Sequence, residues 1–105
     1  MQGKQPPRRA KPAGKGRGKR AGESPEVLRN VAAVLSTFGA NFRRARQEKG
    51  LTILQLHLQT GVAQAFIGDV ERGKANVSLQ TITVLAAAVG VEVASLFAGP
   101  AAKGK

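Results

Sequence analysis

Residues 52–70 read TILQLHLQTGVAQAFIGDV, and this stretch decides the fold. Thr52 followed three residues later by Gln55 is a capping box: the hydroxyl takes an orphan backbone N–H, and the glutamine side chain reaches back to the N–H of the cap. Leu56, Val62, Ile67 and Val70 then fall at spacings that suit two short helices sharing one small core across a glycine corner. Gly61 supplies the positive φ such a corner needs. The second helix is expected over Ala63 to Val70. Helices this short are marginal alone, so neighbouring segments must complete the core.

Upstream, Ser24-Pro25-Glu26 opens a helix by the usual rules: a cap, proline at the first helical position, and an acid in the first turn. Leu28, Val31, Leu35, Phe38, Phe42 and Ala45 recur at steps of three and four. This stripe allows one bent helix over about 25–48, or two helices with Ser36 re-capping the second. Two are expected, with a break near Leu35 to Thr37, because Gly39 weakens the interior. Downstream, Ser78 caps a helix over 79–89 with Ile82, Leu85, Ala86 and Val89 as its core stripe, and Gly90 ends it. A last short helix over 92–97 is expected to bury Val93, Leu96 and Phe97.

The net charge of +11 is unevenly spread. Lys4, Arg8, Arg9, Lys11, Lys15, Arg17, Lys19 and Arg20 stand in the first twenty residues with no acid among them, whereas 25–99 is close to neutral. Residues 1–22 lack Val, Ile, Leu and aromatics, too little apolar surface to offset chain entropy, so residues 1–23 are expected to form a disordered basic arm. GKGRGK at 14–19 is not a phosphate loop, having no strand before it and no Ser or Thr after the lysine. The charge favours a phosphate-binding arm over a solvated tail. Residues 100–105 are expected to be a flexible C-terminal tail. There is no cysteine, hence no disulfide or thiolate metal site. One histidine and six scattered carboxylates offer no nucleophile–base pair, so neither enzyme, metal nor cofactor is expected. The basic start has no apolar core of a secretory signal, and the apolar stretch 82–97 is too interrupted to span a membrane.

The ordered set FGANFRRAR (38–46), Gly50-Leu51-Thr52, Leu56, Gly61-Val62, Ile67, Glu71-Arg72-Gly73 and Ser78-Leu79-x-Thr81-Ile82-x-x-Leu85-Ala86-x-Ala88-Val89-Gly90-Val91 resembles the DNA-binding domain of phage-repressor and Cro-type helix-turn-helix regulators, the XRE family. The resemblance runs from Phe38 to Phe97. It implies an all-α, five-helix lambda-repressor-like domain; with the extra N-terminal helix near 25–34, which lies outside the resemblance, the helix-turn-helix DNA-binding domain is expected over 24–99. It further implies a sequence-specific regulator of bacterial or phage transcription, cytoplasmic and nucleoid-associated, that binds double-stranded DNA as a homodimer.

By the same resemblance, 63–70 is the recognition helix, with Gln64, Ala65, Phe66, Gly68 and Asp69 turned toward bases and Ile67 and Val70 inward. Gln64 suits adenine, Ala65 or Phe66 a thymine methyl, and Asp69 a cytosine amine. Arg43, Arg44, Thr52, Arg72, Lys74 and Asn76 are the candidates for the DNA backbone. Arg46 is expected to pair with Glu71 as a structural tie. Four residues depart from the pattern. Ile53 stands where a polar phosphate contact is usual. His57 replaces a small residue and is read as a packed side chain, since nothing near it could complete a metal site. Leu54 and Leu58 add apolar surface that needs a cover, either the extra helix or another subunit. Two other readings therefore stand beside the regulator: an interaction module using Leu54, Leu58 and Phe66 on a protein partner such as a toxin or RNA polymerase, and a non-specific nucleic-acid binder working through its tail.

Overall fold

The computed structural model describes residues 24–99. The expected arm at 1–23 and the expected tail at 100–105 lie outside the described residues. Four α-helices follow one another: α1, Pro25–Lys49; α2, Ile53–Thr60; α3, Gln64–Glu71; and α4, Leu79–Val89. A 3₁₀ turn, Val93–Phe97, closes the order. There is no strand among the described residues.

The chain divides into two units at Val31 and Ala32. The described part of the first carries the opening of α1, where the Ser24 hydroxyl accepts the Val27 N–H at 3.2 Å. Its Leu28 and Val31 are exposed. The second unit holds the core: Phe38 and Phe42 from α1, Leu56 from α2, Ile67 and Val70 from α3, Ile82, Leu85, Ala86 and Val89 from α4, and Leu96 from the 3₁₀ turn. Burying each of the larger side chains contributes about 1.5–3 kcal/mol.

Two expectations about elements are corrected. The break near Leu35 to Thr37 does not occur, and α1 runs unbroken through it. Leu35, Phe38 and Phe42 keep one phase, so a continuous helix holds all three in line where a break would rotate them apart. The fifth helix is a 3₁₀ turn of five residues. At three residues per turn, Val93 and Leu96 share a face and Phe97 is rotated off it. Phe97 is accordingly 41% exposed, with its ring 5.1 Å from that of Phe38. The Asn41 amide fastens this turn to α1, donating to the carbonyls of Leu96 at 3.0 Å and Ala98 at 2.8 Å.

The corner of α2 and α3 has the expected chemistry. Thr52 accepts the Gln55 N–H at 3.0 Å, and the Gln55 side chain accepts the Thr52 N–H at 2.8 Å. Gly61 lies at φ +78°, and its N–H donates to the His57 carbonyl at 2.8 Å.

Candidate nucleic-acid interface

Helix α3 is held at both ends. At its start, Ala63 offers no side-chain cap, and the preceding turn is tied instead. The Thr60 hydroxyl donates to the Leu56 carbonyl at 2.7 Å and accepts the Val62 N–H at 3.1 Å. His57 Nδ1 lies 2.9 Å from the Val62 carbonyl, which can only accept, so Nδ1 carries the proton. The histidine thus secures the entry to α3, a role that its composition and spacing alone did not reveal.

At the other end, the turn Glu71-Arg72-Gly73 is a Schellman cap. The Lys74 N–H reaches the Asp69 carbonyl at 2.8 Å and the Gly73 N–H the Val70 carbonyl at 3.1 Å. Gly73 sits at φ +74°, the left-handed position that this cap requires. The capped end rests directly on α1 at Gly39. A Cβ built on Gly39 would stand 2.3 Å from the Val70 carbonyl oxygen and 2.8 Å from that of Glu71. Gly39 therefore marks a backbone-to-backbone approach.

Two turns further along α1, Arg46 completes the contact. Its Nε and Nη2 donate to the two carboxylate oxygens of Glu71 at 2.5 and 2.9 Å, and its Nη1 donates to the Leu51 carbonyl at 2.8 Å. The two side chains are only 12% and 6% exposed. Hydrogen bonding to Glu71 raises the guanidinium above its ordinary range, against the opposing pull of burial.

The base-facing candidates separate into four groups. Gln64 and Ala65 are exposed. Phe66 is half-buried and packed against the core. Gly68 is buried: its backbone lies under the guanidinium of Arg72, whose Nη1 and Nη2 would be 3.3 and 3.4 Å from an added Cβ. Asp69 accepts from Arg72 Nη2 at 2.7 Å.

The backbone candidates separate too. Thr52, Lys74 and Asn76 are exposed. Arg44 donates to Asn41 Oδ1 at 2.7 Å, beside the residue that holds the 3₁₀ turn. Arg43 instead joins Arg46, Ile53, Gly68, Glu71 and Arg72 around an open cavity of about 270 Å³. The exposures of Leu54 and Leu58, 50% and 71%, show that neither is covered. Among the described residues no group of His, Asp and Glu could hold a metal ion, and no helix is long and apolar enough to cross a membrane.

A domain of this kind, with a pinned short helix offering its N-terminal half to solvent beside a rim of arginines, is built to dock on DNA. Comparison with known proteins gives the same class. The helix-turn-helix family matches the chain over residues 42–96. An uncharacterized HTH-type transcriptional regulator, y4dJ of Sinorhizobium fredii, is 42% identical over 53 residues, half of this chain and 69% of that protein. The immunity repressor protein of Bacillus phage phi105 is 32% identical over 60 residues, 57% of this chain but only 42% of the repressor's length. In three dimensions the domain superposes on the restriction-modification controller protein C.AhdI from Aeromonas hydrophila. The TM-score is 0.59 at 42% identity, covering 62% of this chain and 98% of the controller.

The chain belongs to the phage-repressor and Cro-type helix-turn-helix family. It is a DNA-binding transcriptional regulator and not an enzyme.

Proposed function

We propose that the protein reads double-stranded DNA sequence-specifically as a homodimer, with α3 in the major groove. Gln64 and Ala65 meet base edges there, Gln64 matching the paired donor and acceptor of an adenine. Arg43, Thr52, Arg72, Lys74 and Asn76 meet the backbone, and the basic arm follows the phosphates on either side. The observation that carries this reading is the exposure of Gln64 and Ala65 at the start of a helix whose two ends are both fixed. A single helix with two such side chains reads few base pairs, so two copies on a pseudo-palindrome supply the missing sequence information.

Selection of bound sites from random duplexes, with the intact chain and with residues 1–22 removed, tests the reading directly. One recovered half-site motif shared by both proteins is the expected result. Gln64→Ala should then cost about 1–3 kcal/mol on the selected site and much less on random DNA, with the salt dependence nearly unchanged. Equal weakening on both duplexes would mean that α3 reads no bases.

Removal of the arm should have the opposite signature. Its eight cations carry no base-reading geometry, so all duplexes should weaken by a similar factor. The slope of log affinity against log salt would fall by about 7 if every cation paired with a phosphate, and about half of that is expected. A change confined to the selected site would show that the arm reads sequence.

The uncovered Leu54 and Leu58 favour a second reading, a protein partner on the outer face of α2. It takes precedence if the domain lacking the arm is folded, binds no duplex, and no motif emerges from the selection.

A further inference from the structure

Asp69 stands on the DNA-facing helix of a protein whose partner is a polyanion, and its charge alone can only repel that partner. The structure gives it something else to do. Arg72 is exposed, with its side chain 59% open to solvent, and a long side chain in that position normally samples many rotamers. Here it is held from two sides. Asp69 Oδ1 takes a hydrogen bond from Nη2 at 2.7 Å. Beneath, the missing side chain of Gly68 lets the guanidinium lie against the helix backbone: the three atoms nearest to an added Cβ are Nη1, Nη2 and Cζ of Arg72, at 3.3, 3.4 and 3.7 Å.

Held this way, the guanidinium lines the cavity of about 270 Å³ that Arg43 and Arg46 also line. The charge of Arg46 is already matched by Glu71. Arg43 has no hydrogen bond or ion pair to a side chain among the described residues, and Arg72 has only the one to Asp69. The cavity is thus open, basic and edged by planar donors, which suits the tetrahedral oxygens of a phosphodiester.

We propose that Asp69 and Gly68 are positioning residues, which together fix the Arg72 guanidinium beside Arg43 so that the two clasp one phosphate of the DNA backbone. This deepens the DNA-binding reading and rests on it. The aspartate lowers affinity through its charge and raises it by ordering Arg72 beforehand, and the proposal is that the second effect prevails.

The sign of a single mutation tests this. The probe is a labelled duplex carrying the site selected from random sequence, titrated with the full-length chain at several salt concentrations. Asp69→Ala removes a negative charge facing DNA, so electrostatics alone predicts tighter binding. Positioning predicts binding weaker by about fivefold and a salt slope reduced toward that of Arg72→Ala. Asp69→Asn keeps the acceptor and should bind at least as tightly as the wild type. In an Arg72→Ala background, Asp69→Ala should reverse its effect and tighten binding, because only the charge is left to act.

Gly68→Ala supplies an independent arm. Alanine favours the helix and the atoms nearest its Cβ belong to the movable guanidinium, so the thermal midpoint should hold while affinity falls. Tightening, or no change, by Asp69→Ala in the wild-type background overturns the proposal. A wild-type chain that binds no duplex overturns the DNA reading itself, and with it this one.

Discussion

Gly39→Ala is expected to destabilise the domain by about 3 kcal/mol or more, although the same change in an ordinary helix would stabilise it by up to about 1 kcal/mol. The two effects have opposite signs, and distance decides between them. A Cβ at position 39 would stand 2.3 Å from the Val70 carbonyl oxygen, far inside contact distance. That carbonyl accepts the Gly73 N–H in the cap of α3, so it cannot retreat without opening the cap. The new methyl meets backbone on one side and its own helix on the other, with no flexible side chain to yield. Chemical or thermal unfolding, followed by circular dichroism, measures the change. Gly68→Ala is the internal control: another buried helical glycine, but one whose added Cβ meets a movable guanidinium. The midpoint should fall sharply for position 39 and hold for position 68. A raised midpoint for Gly39→Ala would mean that α1 and the end of α3 do not approach as closely as described.

Arg46→Ala should cost about 3 kcal/mol by a different route. Truncation leaves the Glu71 carboxylate, only 6% exposed, without its bidentate partner, and deprives the Leu51 carbonyl of its donor. Most of the loss is the penalty of a stranded, poorly solvated charge, so Glu71→Ala should be costly as well. The double variant should be less destabilised than the sum of the two, with a coupling of about 0.5–3 kcal/mol in a double-mutant cycle. Additive losses would show that the pair contributes nothing as a pair. Because hydrogen bonding to Glu71 raises the folded guanidinium above its already high unfolded value, its contribution is fully present below that unfolded value and is lost only as pH rises through the higher folded one. The Arg46→Ala effect from this source should therefore be flat across the range in which the protein can be handled. Arg46→Ala should also loosen the C-terminal end of α3, weakening DNA binding more than its remoteness from the exposed Gln64 suggests.

Both expectations concern the same seam, and it shows where reading a sequence succeeds and fails. Thr52 and Gln55 announce a capping box because every atom involved lies within four residues. Gly61 announces a corner because a positive φ is a local demand, and the stripe of Ile82, Leu85, Ala86 and Val89 announces a buried face because helical periodicity is local too. The pairing of Arg46 with Glu71, 25 residues apart, came from resemblance to a family and not from spacing.

Elsewhere, local rules misled. Gly39 read as a weak point in a helix and helped to suggest a break, because intrinsic propensity is all that a sequence shows of a glycine. What keeps it there is a pair of carbonyls more than thirty residues away. Gly68 read as one of the residues turned toward bases, while in the fold it is the bed on which Arg72 lies. Phe97 read as core from its apolar character, yet the change from α to 3₁₀ winding turns it outward and leaves Leu96 inside. The sequence by itself determined an all-helical domain, its caps, its corner and nearly all of its core, since these follow from periodicity and from contacts within one turn. Tertiary structure alone decided that Gly39 is a seat for the end of α3, that Arg46 is locked by Glu71, and that α1 does not break. Each of those depends on the distance between backbones that the chain brings together only when it folds.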